Sequence, residues 1–426
     1  MKKLLRLLTM STAWLAFLTN VRLPDGRLLP FLALLKGFAG PLSPFLALIG
    51  LKGALLALWR RDWFALAAAL SGVFFARQYI KNVTAPHDEF AFAFGANWQQ
   101  RIPHHLRWRL RPSRYGLRPL TSPPATLSAN VIIGCHQETG DPLLADLWQP
   151  PAGVPHTGIG IIYLHGSGWH YMDKDFRGTT RPLFQHLASQ GHVIADVAYT
   201  LAPKATIIPM VADVKRAIAW MKTNAADLGI NPERIVLMGG SAGAHLALLA
   251  AYTSHHPILD PADVSGLDTA VHGVISYYGI TDCVSGHERL THIPPTPAVL
   301  SPWVERLLKR GGMLPGDGRY IQAHHMIPST LGGVPHEEPD MYQLASPLAH
   351  VGPHCPPTLL INGTHDVGPD MNQHRWLQAA LYRYQVPCAH VEIACADHAF
   401  DLIAPRWSPA GQAALYDVER FLGLLV

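Results

Sequence analysis

The chain has 426 residues, of which 49% are hydrophobic and 15% are charged, which excludes a small module and a disordered chain. Its net charge of +4 hides an asymmetry: residues 1–130 carry 17 Lys and Arg against 4 Asp and Glu, a net charge of +13, and the remainder carries 17 against 26, a net charge of −9. Five cysteines without Cys-x-x-Cys spacing indicate neither a disulfide framework nor a zinc knuckle.

Three apolar stretches occupy the first eighty residues: Leu7–Val21, Leu42–Trp59 and Trp63–Ile80. Each is shorter than the roughly 20 residues that a membrane-spanning helix needs, but the lysine inside the second stretch, Lys52, can snorkel to the membrane surface. We predict that residues 1–80 form an apolar helical region that is embedded in membrane lipid and is not needed for catalysis. An amphipathic cap over a soluble domain is the alternative. Basic residues at both ends leave the side of the membrane open.

Residues 81–128 form a basic segment in which six arginines alternate with Trp98, Trp108 and Tyr115. Arginines beside aromatic rings suit anionic lipid headgroups, and a linker packed on the following domain explains them equally well. Nucleic acid is not expected as a partner, because the rest of the chain is acidic.

From residue 129 onward, short apolar runs alternate with helical patterns. Ala129–Gln137 and Leu143–Gln149 predict a β-hairpin around Gly140 and Asp141. Six further strands are predicted at Gly158–Leu164, His192–Ala198, Arg234–Met238, His272–Tyr278, Thr358–Asn362 and His390–Ile393, with helices at Pro209–Leu228, Ala242–Thr253 and Asn372–Tyr384. This alternation predicts an α/β fold with a mostly parallel sheet covered on both faces, in a catalytic domain of residues 129–426.

One segment interrupts the alternation. Residues 283–341 are rich in Pro, Gly and His, and we predict that they form a lid over the site. Within it, Ser301 and Pro302 predict the start of a short helix that ends at Arg310.

A nucleophile is predicted at Ser241. The sequence Gly239-Gly240-Ser241-Ala242-Gly243 follows an apolar strand and precedes a helix, which is the context of a Gly-x-Ser-x-Gly nucleophile elbow. A sharp turn there presents the serine oxygen to a substrate, and small neighbours let the chain pass close by.

Backbone donors for an oxyanion are predicted in a second small-residue loop, His165-Gly166-Ser167-Gly168-Trp169, which follows the strand that ends at Leu164. The predicted oxyanion hole consists of Gly166, Ser167, Gly168 and, after the nucleophile, Ala242. We expect His165 to order this loop and not to act as the base.

A serine nucleophile needs a general base that is oriented by a carboxylate. Asp366 follows the strand that ends at Ile361, and His398 lies in a loop after Ile393. The chain order Ser241, Asp366, His398 is that of an α/β-hydrolase triad. Asp370 and Asp397 are the rivals of Asp366.

Several blocks in fixed order resemble the hormone-sensitive-lipase-like carboxylesterase and lipase branch of the α/β-hydrolase superfamily. They are His165–Trp169, Tyr199–Pro203, Asp213–Trp220, Gly239–Gly243, Ser346–Leu348, Asp366 and His398. The resemblance covers about residues 130–426. The chain departs from the usual pattern at Ser167, where a third glycine is common, at Gly240, where Asp is frequent, and at Lys204, where Glu is common.

The expected function is a serine hydrolase that cleaves carboxylic esters of hydrophobic alcohols or acyl groups. We expect no metal and no organic cofactor, and the oligomeric state stays open. Two alternatives are a peptidase or amidase on the same fold, and a receptor that has lost catalysis and kept the pocket, as the resemblance implies for some relatives.

Overall fold

The computed structural model describes residues 2–26, 28–136, 139–254, 256–264, 266–293 and 321–426. Within these ranges, eight strands form a single sheet. The strands are β1 (Thr126–Cys135), β2 (Pro142–Gln149), β3 (Gly160–Leu164), β4 (Val193–Val197), β5 (Ile235–Gly240), β6 (Gly273–Tyr277), β7 (Thr358–Gly363) and β8 (Cys388–Ile393). Their order across the sheet is β1-β2-β4-β3-β5-β6-β7-β8. The pairs β1–β2 and β2–β4 are antiparallel, and the remaining pairs are parallel.

This sheet confirms the predicted hairpin and the six predicted strands. Every residue of β3, β4, β5, β6 and β7 is buried, as expected for strands with helices on both faces. Two large apolar clusters cover the opposite faces.

The helices that the structure describes are α1 (Lys2–Leu18), α2 (Leu29–Ala39), α3 (Ser43–Trp59), α4 (Trp63–Val83), α5 (Glu89–Phe94), α6 (Trp98–Arg101), α7 (His104–Arg107), α8 (Arg181–Ser189), α9 (Ile207–Thr223), α10 (Ala225–Leu228), α11 (Ala242–Tyr252), α12 (Cys283–Thr291), α13 (Ala323–Leu331), α14 (Pro339–Leu344), α15 (Asn372–Arg383) and α16 (Pro409–Leu425). Short 3₁₀ helices occupy Lys174–Gly178, Ala262–Val264 and Pro347–His350. The helix predicted at 209–228 is interrupted at Asn224, which separates α9 from α10.

The N-terminal region contains four helices, α1 to α4, one more than the three predicted apolar stretches indicated. Helices α1, α3 and α4 pack against one another, and α2 follows α1. Among the described helices, α4 alone is long and apolar enough to cross a membrane; Phe31–Ala39 and Ser43–Trp59 pass the same test together but are bent by 78°.

The basic segment packs on the hydrolase domain. The amide N–H of Arg111 donates to Oε2 of Glu419 at 2.9 Å, and Arg114 forms an ion pair with Asp417 of α16 at 2.5 Å. These contacts favour the packed-linker interpretation for both arginines.

The predicted lid is described in part. Helix α12, helix α13 and part of α14 lie between residues 283 and 341, and the helix predicted at 301–310 lies outside the described residues. The lid and the two boundaries between the three predicted regions stay predictions.

Candidate active site

Ser241 occupies a sharp turn between β5 and α11. Its backbone has φ 52° and ψ −118°, a conformation that residues other than glycine rarely adopt. The turn needs small neighbours: a Cβ added to Gly243 would lie 2.0 Å from the carbonyl oxygen of Leu164. The strained elbow therefore lifts the Ser241 side chain away from the sheet at the carboxyl end of β5.

The structure brings Ser241, His398 and Asp366 together. Nε2 of His398 lies 3.0 Å from Oγ of Ser241, and its Nδ1 lies 2.9 Å from Oδ2 and 3.1 Å from Oδ1 of Asp366. Asp366 follows β7 and His398 follows β8, so all three residues stand at the carboxyl ends of parallel strands. With its proton on Nδ1, the ring donates to Asp366 and accepts from the Ser241 hydroxyl.

Neither rival carboxylate contacts His398. Oδ1 of Asp370 accepts from the amide N–H of Asn372 at 3.0 Å, at the start of α15. Oδ2 of Asp397 lies 3.1 Å from Nζ of Lys36, on helix α2. The distances therefore single out Asp366.

The electrostatic surroundings favour protonation of His398. Burial lowers the pKa of its imidazole, but the carboxylates of Asp366, Asp401 and Asp397 outweigh this effect and hold the pKa above its ordinary value. An imidazole in such a site is a strong proton acceptor when neutral, and it is stabilised when it becomes cationic.

A cavity of about 390 Å³ opens beside Ser241 and His398. Gly166, Ser167, Gly168, Ser241 and His398 all line it. Most of the other lining side chains are apolar or aromatic: Tyr163, Trp169, Tyr171, Met172, Phe176, Tyr278, Ile280, Leu290, Met326, Pro369, Ala399 and Leu402.

The loop after β3 offers unused backbone donors to this cavity. Within the described ranges, no acceptor binds the amide N–H of Ser167 or of Gly168. The Ser167 hydroxyl contacts the carbonyl oxygens of Gly166 and Tyr171. The side chain that replaces the usual glycine is therefore hydrogen-bonded within its own loop. Ala242 is the first residue of α11, where amide groups lack intrahelical acceptors.

His165 is buried and lies outside the cavity lining. Its ring stacks on Tyr199 with centroids 4.6 Å apart, and burial lowers its pKa to about 4. These contacts agree with the expected role of ordering the loop.

Sequence reasoning missed two residues beside His398. The Tyr278 ring centroid lies 4.5 Å from the His398 ring centroid, and the Tyr278 hydroxyl donates to Oδ1 of Asp401 at 2.5 Å. Tyr278 directly follows β6, so its position at a strand end was the available signal.

In the part of the chain that the structure describes, no group of three or more His, Cys, Asp or Glu side chains could hold a metal ion.

The comparison with known families matches the BD-FAE model over residues 146–381, more than half of the chain. The chain belongs to the BD-FAE family. This assignment, together with the sheet, confirms the resemblance to hormone-sensitive-lipase-like α/β hydrolases.

Curated relatives and solved structures agree with the family. Esterase LipQ of Mycobacterium tuberculosis is 31% identical over 66% of this chain and 59% of its own length, and the probable carboxylic ester hydrolase LipM of the same organism is 28% identical over 65% and 57%. The chain spans somewhat less than three fifths of the length of these relatives. A propionate-bound esterase from Thermogutta terrifontis shares the fold, with a TM-score of 0.50, 22% identity, and coverage of 70% of this chain and 94% of its own.

Proposed function

We propose that the protein is a serine carboxylesterase in which Ser241 is the nucleophile, His398 the general base and Asp366 the carboxylate that orients it. The observation that carries the proposal is the hydrogen-bonded series from Ser241 through His398 to Asp366 at the wall of an apolar cavity. The names of the curated relatives support the same class of reaction.

In the proposed reaction, Oγ of Ser241 attacks the ester carbonyl carbon while Nε2 of His398 takes its proton. The amides of Gly166, Ser167, Gly168 and Ala242 supply donors for the developing oxyanion, each contributing about 3 to 4 kcal/mol of barrier lowering. His398 then returns the proton to the leaving alcohol. Water attacks the acyl-enzyme by the same route, releases the acid and restores Ser241.

The cavity lining supports a hydrophobic substrate. Apolar and aromatic side chains surround Ser241, and no Lys, Arg, Asp or Glu is among the lining residues that the structure describes. A lining of this kind favours ester groups with apolar acyl or alcohol parts, because a charged part would lose its hydration without a partner.

The test is ester hydrolysis by Ser241→Ala, with Ser128→Ala as the matched control, because Ser128 is exposed on β1. We expect Ser241→Ala to lower kcat for p-nitrophenyl esters about 10⁴-fold or more, and Ser128→Ala to leave it unchanged. A fluorophosphonate probe should label the wild-type protein and not Ser241→Ala. A folded wild-type protein that neither hydrolyses esters nor reacts with the probe would point to the receptor alternative, and probe labelling with amide but not ester turnover would point to the amidase.

We also propose that α1, α3 and α4, with α2, insert into a membrane. Their packing is the reverse of a water-soluble bundle: α4 buries Ala65, Ala69, Gly72 and Ala76 and exposes large side chains such as Phe74, which is 61% exposed. Small residues at helix contacts and large apolar residues outside are typical of helices that pack in lipid.

The bundle lies next to the cavity. Arg289, which precedes the cavity residue Leu290, forms an ion pair at 3.1 Å with Asp25, between α1 and α2. This proximity of the helices to the cavity supports the proposal that the substrate ester reaches the site from the membrane.

We expect full-length protein to stay in the membrane fraction through an alkaline carbonate wash. Replacing three exposed apolar residues together, Leu55→Asp, Leu70→Asp and Phe74→Asp, should shift it to the wash, and Trp376→Asp on the hydrolase domain should not. Release of the wild-type protein as a soluble species would instead support the cap alternative.

A further inference from the structure

A buried lysine of helix α2 reaches the loops that hold the triad. Lys36 is 2% exposed, and its Nζ contacts three acceptors: the carbonyl oxygen of Val21 at 2.8 Å, Nδ1 of His365 at 2.9 Å and Oδ2 of Asp397 at 3.1 Å. An ammonium group has three donors, so each can be satisfied here. Lys36 is therefore held in one place by both parts of the chain.

The two hydrolase partners of Lys36 adjoin the triad. His365 precedes Asp366, and Asp397 precedes His398. The amide N–H of His365 also donates to the carbonyl oxygen of Ala396 at 2.9 Å, which ties the two loops to each other. Lys36 thus connects the loop that carries Asp366 to the loop that carries His398.

The opposite side of α2 is apolar and exposed. Phe31, Leu34 and Phe38 are 59%, 43% and 37% exposed, at a spacing that places them on one helix face. Helix α2 accordingly presents apolar side chains outward and its lysine to the catalytic loops.

We propose that Lys36 is a positioning residue for the triad: it fixes the loops that carry Asp366 and His398 and neutralises the carboxylate beside the base. This inference rests on the proposed function. It also changes the expectation that catalysis does not need residues 1–80, since their removal would remove Lys36.

The charges at the contact fit this role. Burial raises the pKa of Asp397 to about 6 although Lys36 opposes the rise, and Oδ1 of Asp397 is buried without a partner. Burial, with the charges of Lys36 and Arg22, lowers the pKa of His365 to about 4, so its neutral ring can accept at Nδ1. Without the ammonium, the Asp397 carboxylate would lose its cation, and the two loops would lose their shared donor.

The titratable and charged groups around this contact and His398 come from several elements. They are Arg22, Lys36 and Tyr79 from the N-terminal region, and Tyr278, His365, Asp366, His374, Cys395, Asp397 and Asp401 from the hydrolase domain. Variants that change only Lys36 or Asp397 leave the others in place.

The first measurement compares Lys36→Met with Lys222→Met in full-length protein in detergent micelles. Lys222 forms a surface ion pair with Asp268 at 2.6 Å and serves as the matched control. We expect Lys36→Met to lower kcat for a short-chain p-nitrophenyl ester about tenfold or more, with a smaller change in KM, because triad geometry and not the cavity wall is altered. Wild-type kcat in a folded Lys36→Met protein would overturn the proposal.

The second measurement isolates the charge through the pH profile of kcat/KM. Asp397→Asn removes an anion and leaves the Lys36 cation, so the acid limb of the profile should move to lower pH. Adding Lys36→Met in this background removes the cation and should move the limb back up, by about half a pH unit or more. The double variant removes both charges of the Lys36–Asp397 contact and so leaves neither one buried without the other, which makes this comparison useful even if Lys36→Met alone does not fold.

Coinciding acid limbs for Asp397→Asn and the double variant would overturn the charge role of Lys36. Failure of the proposed function looks different: the wild-type protein itself would neither hydrolyse esters nor react with the fluorophosphonate probe.

Discussion

Replacing Asp366 by asparagine tests the proposed triad most sharply, because the surrounding hydrogen bonds determine the orientation of the new amide group. Oδ1 of Asp366 accepts from the amide N–H of Gly368 at 2.7 Å. In Asp366→Asn the side-chain oxygen should keep this donor, so the NH₂ group takes the place of Oδ2, which lies 2.9 Å from Nδ1 of His398. An NH₂ group there donates to Nδ1 and drives the imidazole proton to Nε2.

The consequence is a base in the wrong tautomer. With a proton on Nε2, His398 cannot accept from Ser241 across their 3.0 Å contact. We expect kcat for a p-nitrophenyl ester to fall about 10⁴-fold, which corresponds to about 5 kcal/mol of transition-state stabilisation. Labelling of Ser241 by a fluorophosphonate should slow in parallel, while the unfolding temperature changes little.

Asp370→Asn is the matched control. Its side chain accepts from the Asn372 amide, which an asparagine oxygen can also do, so activity should stay within about twofold of wild type. A folded Asp366→Asn protein with more than a tenth of wild-type activity would refute this reasoning, as would an Asp370→Asn protein that is the more damaged of the two.

Two further predictions follow from the same contacts. Because the pKa of His398 is raised and the base must be neutral, kcat/KM of the wild-type protein should be lost as pH falls, with its acid limb above the ordinary histidine value of about 6.5; a limb well below that value would contradict the assigned surroundings. A Cβ added to Gly368 would lie 3.1 Å from Oδ1 of Asp366 and from Nδ1 of His398, so Gly368→Ala should lower kcat about tenfold or more with the fold intact. Gly116→Ala, with open space around its Cβ, should keep full activity, and equal activities of the two variants would count against this arrangement of the triad.

Local sequence patterns predicted most of the hydrolase domain. A strand, a turn of small residues and a helix are adjacent in the chain, so the elbow at Ser241 could be read without any long-range contact. The same holds for Asp366 and His398, which each follow a buried strand, since the carboxyl ends of parallel strands must meet at one edge of the sheet.

The helices and contacts of the N-terminal region were harder to predict, because the residues that meet there are far apart in sequence. Helix α2 was missed, since Pro30, Lys36 and Gly37 interrupt its apolar pattern. Lys36 and His365 are 329 positions apart, and nothing near either residue in the chain marks the pairing.

The sequence by itself determined the fold family and the residue types at the ends of β5, β7 and β8, because these depend on patterns within a few residues. Tertiary structure decided which carboxylate faces His398. Asp366, Asp370 and Asp397 all lie in loops that follow β7 or β8, and local sequence does not show which of their side chains points to the imidazole. It likewise decided that Lys36 of α2 forms an ion pair with Asp397. The packing of one helix against two loops is a property of surfaces that meet only after the chain has folded.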